Sequence, residues 1–194
     1  DLKKARGAVG DARKRWRQEF ANDRGAETVM SALMASLEYE LGQLTSARGS
    51  VRKSAYRMPD SEAWFDIYAA AYEPMARIIA ADHGLGPAQE ALADQRRKLA
   101  AQGLPRVAAM LQNLAIVLAG EQWIRDGTGG NDPWEPLAPV DAAGTWQEQE
   151  TFHLASAYLA ARQGRRTDAE NGLHDALKTS DRLKLARSSL RYRI

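Results

Sequence analysis

Residues Glu150 to Ala176 read ETFHLASAYLAARQGRRTDAENGLHDA, and the spacing of their apolar members decides the fold class. Phe152, Ala155 and Leu159 recur at intervals of three and four and lead into Gly164; Ala169, Leu173 and Ala176 resume that spacing behind it. Three or four residues make one helical turn, so each trio forms a stripe along one side of a helix. Glycine accepts the positive φ that ends a helix and turns the chain back. The stretch therefore predicts two helices packed antiparallel across a turn at Gly164.

The arrangement recurs. Tyr39 precedes Gly42, and Ala47, Val51 and Ser54 follow it at the offsets that Ala169, Leu173 and Ala176 keep from Gly164. Around Gly84 the chain reads IIAADHGLGPAQEAL, with Ala88 and Leu92 on the next stripe. Gly42 and Gly84 are 42 residues apart, and the 80 from Gly84 to Gly164 hold two further units of about 40, with Gly120 expected to mark the middle one. A lone helix pair cannot cover its own apolar faces, so repetition at this period means stacked pairs. The expected fold is all-α: a right-handed superhelical solenoid of antiparallel helix pairs, tetratricopeptide-like, with residues 1–194 as a single domain.

Bulk properties narrow the function. With 27 basic and 25 acidic residues the formal charge is +2, far from the excess that neutralises many phosphates, so no direct DNA contact is expected. The absence of cysteine excludes disulfides, thiolate metal sites and a cysteine nucleophile, and agrees with a cytoplasmic location. Apolar runs such as AAMLQNLAIVLAG at 108–120 are interrupted and read as too short to cross a bilayer, and no signal-peptide pattern opens the sequence, so no membrane partner is expected. Helical pattern reaches both ends, which suggests a domain excised from a larger protein.

Along the chain, Leu2, Ala5, Val9, Ala12, Trp16 and Phe20 form an apolar stripe expected to be buried, while Lys3, Lys4, Arg6, Arg13, Lys14, Arg15 and Arg17 read as a solvated face. Glu27–Leu41 and Leu44–Met58 make the next pair. Glu62–His83 is rich in aromatics and holds Pro74, where a kink is expected. Pro87–Gln102 and Leu104–Gly120 follow, then a short helix around Trp123, a turn-rich connection over Gly127–Gly144, the pair quoted first, and a last helix over Leu183–Tyr192.

Two long phrases carry a resemblance. AAAYEPMARIIAADHGLGPAQEALADQRRKLAAQGLPRVAAML at 69–111 and TWQEQETFHLASAYLAARQGRRTDAENGLHDAL at 145–177 resemble the helical-repeat sensor domain of the large LuxR-type transcriptional regulators related to MalT. In that family a return helix often ends in a glycine-leucine-proline-arginine phrase, as Gly103, Leu104, Pro105 and Arg106 do here. Trp123 after Gly120, and the proline-rich connection from Pro136 into Trp146, also fit. The resemblance runs from about Asn22 to the end. It implies a regulatory arm that receives a small-molecule effector or a regulatory protein and controls the other domains of its parent. ATP belongs to a separate switch domain of that parent, and DNA reading to a separate helix-turn-helix.

Catalysis has little to stand on. The glycines of Gly127-Thr128-Gly129-Gly130-Asn131 lack the Gly-Lys-Ser/Thr that would hold phosphate and magnesium. Glu150 and His153 have a spacing that can ligate iron, but no second Glu-x-x-His exists, and His83 and His174 stand alone. No enzyme, metal or cofactor is expected in this segment. Recognition fares better, because stacked pairs leave a concave face where polar groups beside aromatics bind a small molecule or a peptide. The candidates on the first helices of the pairs are Glu38, Tyr39, Tyr72, Glu73, Arg77, Gln112, Asn113, Glu150 and His153, whereas Trp64, Tyr68 and Tyr158 read as core. The alternative is a general tetratricopeptide scaffold that grips a partner's peptide.

Overall fold

A computed structural model describes residues 1–19, 24–54, 65–127 and 146–182. These residues are all-α, with eight helices and no strand among them: α1 Leu2–Glu19, α2 Arg24–Glu40, α3 Leu44–Ser54, α4 Phe65–His83, α5 Leu85–Ala101, α6 Pro105–Asp126, α7 Trp146–Arg162 and α8 Arg166–Arg182. The chain forms two compact units, Asp1–Ile78 and Ile79–Ile194, the division falling within α4. The expected helix over Leu183–Tyr192 and the connection after Gly127 lie outside the described residues, as do Phe20 and Trp64.

In the first unit α2 is central and packs against both α1 and α3. Its Ala32 and Ala35 are fully buried, and Ala47 and Val51 of α3 are buried on the stripe that the spacing after Gly42 marks out. The turn between α2 and α3 forms because Gly42 takes φ 74°, which lets its N–H donate to the Tyr39 carbonyl and the Gln43 N–H to the Glu38 carbonyl. The same pair of bonds closes the turn at Gly164, from Gly164 to Ala161 and from Arg165 to Ala160.

Helix α1 departs from expectation. None of its residues is buried: Ala5 and Ala12 are exposed, and Leu2, Val9 and Trp16 are only half-covered. The arginines expected on a solvated face include three that turn to α2 instead. Arg13 and Arg17 both reach Glu27, and Arg6 lies 3.6 Å from Glu38. Two carboxylates on α2 thus draw three of the arginines of α1 toward it, and the apolar stripe of α1 is not buried.

In the second unit α5 and α6 are antiparallel across Gly103, and α7 and α8 across Gly164. Helix α6 is the core. Val107, Met110, Leu111, Leu114, Ile116, Val117 and Leu118 are all buried, on more than one side of the helix, because α5 and α7 both pack on it. Each such leucine contributes about 1.5–3 kcal/mol by leaving water. The helix has 22 residues and is long and apolar enough by length and composition to cross a membrane; in the unit it is a largely buried core helix.

Helix α6 also corrects the sequence reading at Gly120. That glycine is inside the helix, which continues through Trp123 to Asp126 and ends at Gly127 with φ 75°. Gly120 serves close packing instead of turning: a Cβ added there would lie 2.4 Å from Cγ and 2.7 Å from Cβ of Tyr158 on α7. Gly127 is the glycine that falls about forty residues from both Gly84 and Gly164.

Candidate functional site

The candidate residues divide between the two units. In the first, Glu38 is 4% exposed on α2. A carboxylate taken out of water needs donors, and Ser50 Oγ of α3 donates to Glu38 Oε2 at 2.8 Å while Arg6 Nη2 of α1 stands 3.6 Å from Oε1. One carboxylate therefore ties three helices. Tyr39, its neighbour, is buried, as is Tyr72 on α4. Glu73 and Arg77 face each other one turn apart on α4, Nε donating to Oε1 at 2.7 Å. Glu27, held between Arg13 and Arg17, has its pKa lowered, first by hydrogen bonds from Arg17 and Arg13 and against a smaller opposing effect of burial.

The second unit brings the remaining candidates to the helices that share α6. Arg96 Nη1 of α5 donates to Gln112 Oε1 at 2.8 Å. Arg106, at the start of α6, grips Glu148 of α7 with Nε at 3.2 Å and Nη2 at 2.8 Å, a bidentate pair in which the glutamate side chain is 6% exposed and the arginine 49%. Toward the other end of α6, Gly120 abuts Tyr158 of α7. The starts of both helices meet, and so do their later turns, so α6 and α7 run in the same direction.

Asn113 lies between these two tie points. Arg106, Asn113 and Gly120 are seven residues apart, two helical turns, so all three share one stripe, and its two flanking members touch α7. Asn113 is 1% exposed, and neither its Nδ2 nor its Oδ1 has a hydrogen-bond partner. On the facing stripe of α7, Thr151 donates its hydroxyl to the Glu148 carbonyl at 3.2 Å, and Ala155 offers only a methyl. One turn further along α6, Ile116 and Val117 form an apolar cluster with Leu154 and Ala155 of α7 and Ala176 of α8.

Glu150 and His153 take different surroundings on α7. Glu150 is 1% exposed, while His153 is half-buried with its ring edge-on to Phe152, the centroids 5.5 Å apart. The backbone of His153 abuts α8, where a Cβ on Gly172 would come 3.0 Å from its carbonyl oxygen. Among the described residues no three His, Asp or Glu side chains gather as metal ligands would; His83 and His174 are both exposed.

Sequence reasoning missed Arg6, Ser50, Arg106 and Glu148 as site-shaping groups. Glu38 sits in an apolar register, which signals that a donor must come from elsewhere, but Arg106 and Glu148 are 42 residues apart with no local pattern linking them. Comparison with known proteins finds no matching family model, no matching curated protein and no matching solved structure.

Proposed function

We propose that this chain is the effector- or partner-sensing domain of a cytoplasmic, MalT-like LuxR-type regulator, in which antiparallel helix pairs stack as a tetratricopeptide-like solenoid of period about 40. On this reading the domain itself is not an enzyme, holds no cofactor and leaves ATP and DNA to other parts of its parent. Besides the phrases quoted above, Gly42, Gly84, Gly127 and Gly164, each following a helix with positive φ, support it by their spacing of about forty residues, with Gly103 turning the chain from α5 into α6 between two of them. The observation that carries it is the parallel run of α6 beside α7, tied by Arg106 to Glu148 and by Gly120 to Tyr158. First helices of consecutive repeats lie side by side in this sense, whereas the two members of a pair run oppositely.

Sensing follows from the arrangement. A shared boundary between neighbouring repeats can shift when a ligand binds one of its arrangements better than the other, and that shift passes to whatever the stack is attached to. The parent reading frame tests the assignment: an ATP-binding motif upstream and a helix-turn-helix downstream are expected, and their joint absence would leave the scaffold reading in its place. Thermal-shift screening of the domain against small molecules and peptides then separates the two occupants. A ligand at a hundredfold its Kd adds about 2.7 kcal/mol, and shifts confined to peptides would favour the scaffold.

A further inference from the structure

We infer that the boundary between α6 and α7 at Asn113 is a binding site for an uncharged, mostly apolar small molecule bearing one amide-like unit, a donor and an acceptor side by side. The inference rests on the reading of this segment as a recognition domain and names the chemistry that the domain would recognise.

Three observations define the chemistry. The Asn113 carboxamide presents one donor group and one acceptor in a plane, both buried and both without a partner, and a buried amide in this condition costs stability that a packed leucine would not. One turn further along α6, Ile116 and Val117 sit in an apolar cluster with Leu154 and Ala155 of α7, so a molecule with many hydroxyls reaching that cluster would bury groups that hydrocarbon cannot satisfy. Arg106 and Glu148, on the α6 stripe and its facing stripe, already neutralise each other, and Glu150 is a further buried carboxylate on α7, so an anionic ligand in particular would find no counterpart there. A primary amide or lactam on an aromatic or aliphatic frame meets all three conditions.

The route in follows from what holds the helices together. At the Gly120 end the Tyr158 side chain leaves no room for a methyl group, while at the other end the tie is a side-chain pair whose arginine is half-exposed. The boundary therefore opens from the Arg106–Glu148 end, with Gly120 and Tyr158 as the fulcrum. Parting α6 from α7 changes the angle between these two helices, which turns occupancy into a movement.

Benzamide serves as the probe, with benzoate and glycerol as charged and polyhydroxyl controls, on the wild-type chain and on Asn113→Leu. Without probe, Asn113→Leu is expected to melt at least about 2 °C higher, because the desolvated amide is gone. Benzamide is expected to raise the wild-type melting temperature and move the Asn113 side-chain NH2 resonances, with affinity falling tenfold or more in Asn113→Leu and neither control acting. The proposal is overturned if Asn113→Leu is no more stable than wild type, if benzamide leaves the wild type unmoved, or if it shifts both proteins equally. Peptides or other ligands that still shift Asn113→Leu would preserve the sensing reading while removing this site from it.

Discussion

Replacing Gly120 by alanine tests the close approach of α6 and α7. In an exposed helix interior the change would help, since alanine is favoured over glycine by about 1 kcal/mol. Here the new methyl would stand 2.4, 2.7 and 2.8 Å from Cγ, Cβ and Cδ1 of Tyr158, against about 3.5–4.0 Å for carbon atoms at their optimum. Rotating Tyr158 moves its ring but not its Cβ, which is fixed to the α7 backbone, so the helices themselves must separate by about 1 Å to restore that contact distance. Separation loosens Ile116 and Val117 against Leu154 and Ala155 as well. The expected net loss is about 1–3 kcal/mol, the range for overpacked cores, read by urea denaturation followed by far-UV circular dichroism. Tyr158→Ala removes the ring but keeps the Cβ, so in the double mutant part of the penalty should vanish, with a coupling of about 1 kcal/mol. Gly10→Ala on α1, where an added Cβ meets nothing within 4 Å, is the control and should gain about 0.5–1 kcal/mol. A Gly120→Ala protein as stabilised as Gly10→Ala, or strictly additive with Tyr158→Ala, would refute the close approach of α6 and α7.

Three further outcomes are expected. Ala169→Leu places a bulky side chain at a buried position in the first turn of α8 and should cost about 1–3 kcal/mol; an unchanged melting temperature would remove Ala169 from the contact between α7 and α8. Ser50→Ala takes the hydroxyl donor from the buried Glu38 and should cost about 1–3 kcal/mol by leaving a desolvated oxygen, whereas a loss within error in urea titration would show that the carboxylate does not need it. The pKa of Glu27 is lowered in the folded chain by Arg17 and Arg13, so its pairing contributes fully above the ordinary carboxylate range and is lost as pH falls through the depressed folded value. Trp16, half-buried on the same helix, should report the release of α1 by fluorescence on acidification, and Glu27→Gln should flatten that transition; an identical transition in the mutant would sever the link.

What could be read in the sequence, and what could not, follows from which forces are local. The all-α class and the helix pairs at Gly42 and Gly164 were legible because apolar spacing and a glycine stop both act within a turn or two, and Ala47, Val51, Ala169 and Ala176 are buried accordingly. Gly120 was misread because a glycine that ends a helix and one that lets a neighbouring helix approach look alike until the neighbour is known; the neighbour, Tyr158, is remote in sequence. Helix α1 was misread for a related reason. Its leucine, valine and tryptophan compete with Arg6, Arg13 and Arg17 for the face toward α2, and Glu27 and Glu38 on that other helix decide the contest. Asn113 could be named as a polar residue on an apolar helix, but what sets it apart is that both ends of its buried amide lack a partner in the folded chain, which spacing alone does not tell. A lone amide so placed stabilises nothing in the closed arrangement, since the native state would gain by a leucine there. Its presence is accounted for if another arrangement of α6 and α7, populated when a ligand is bound, is the one in which that amide is satisfied.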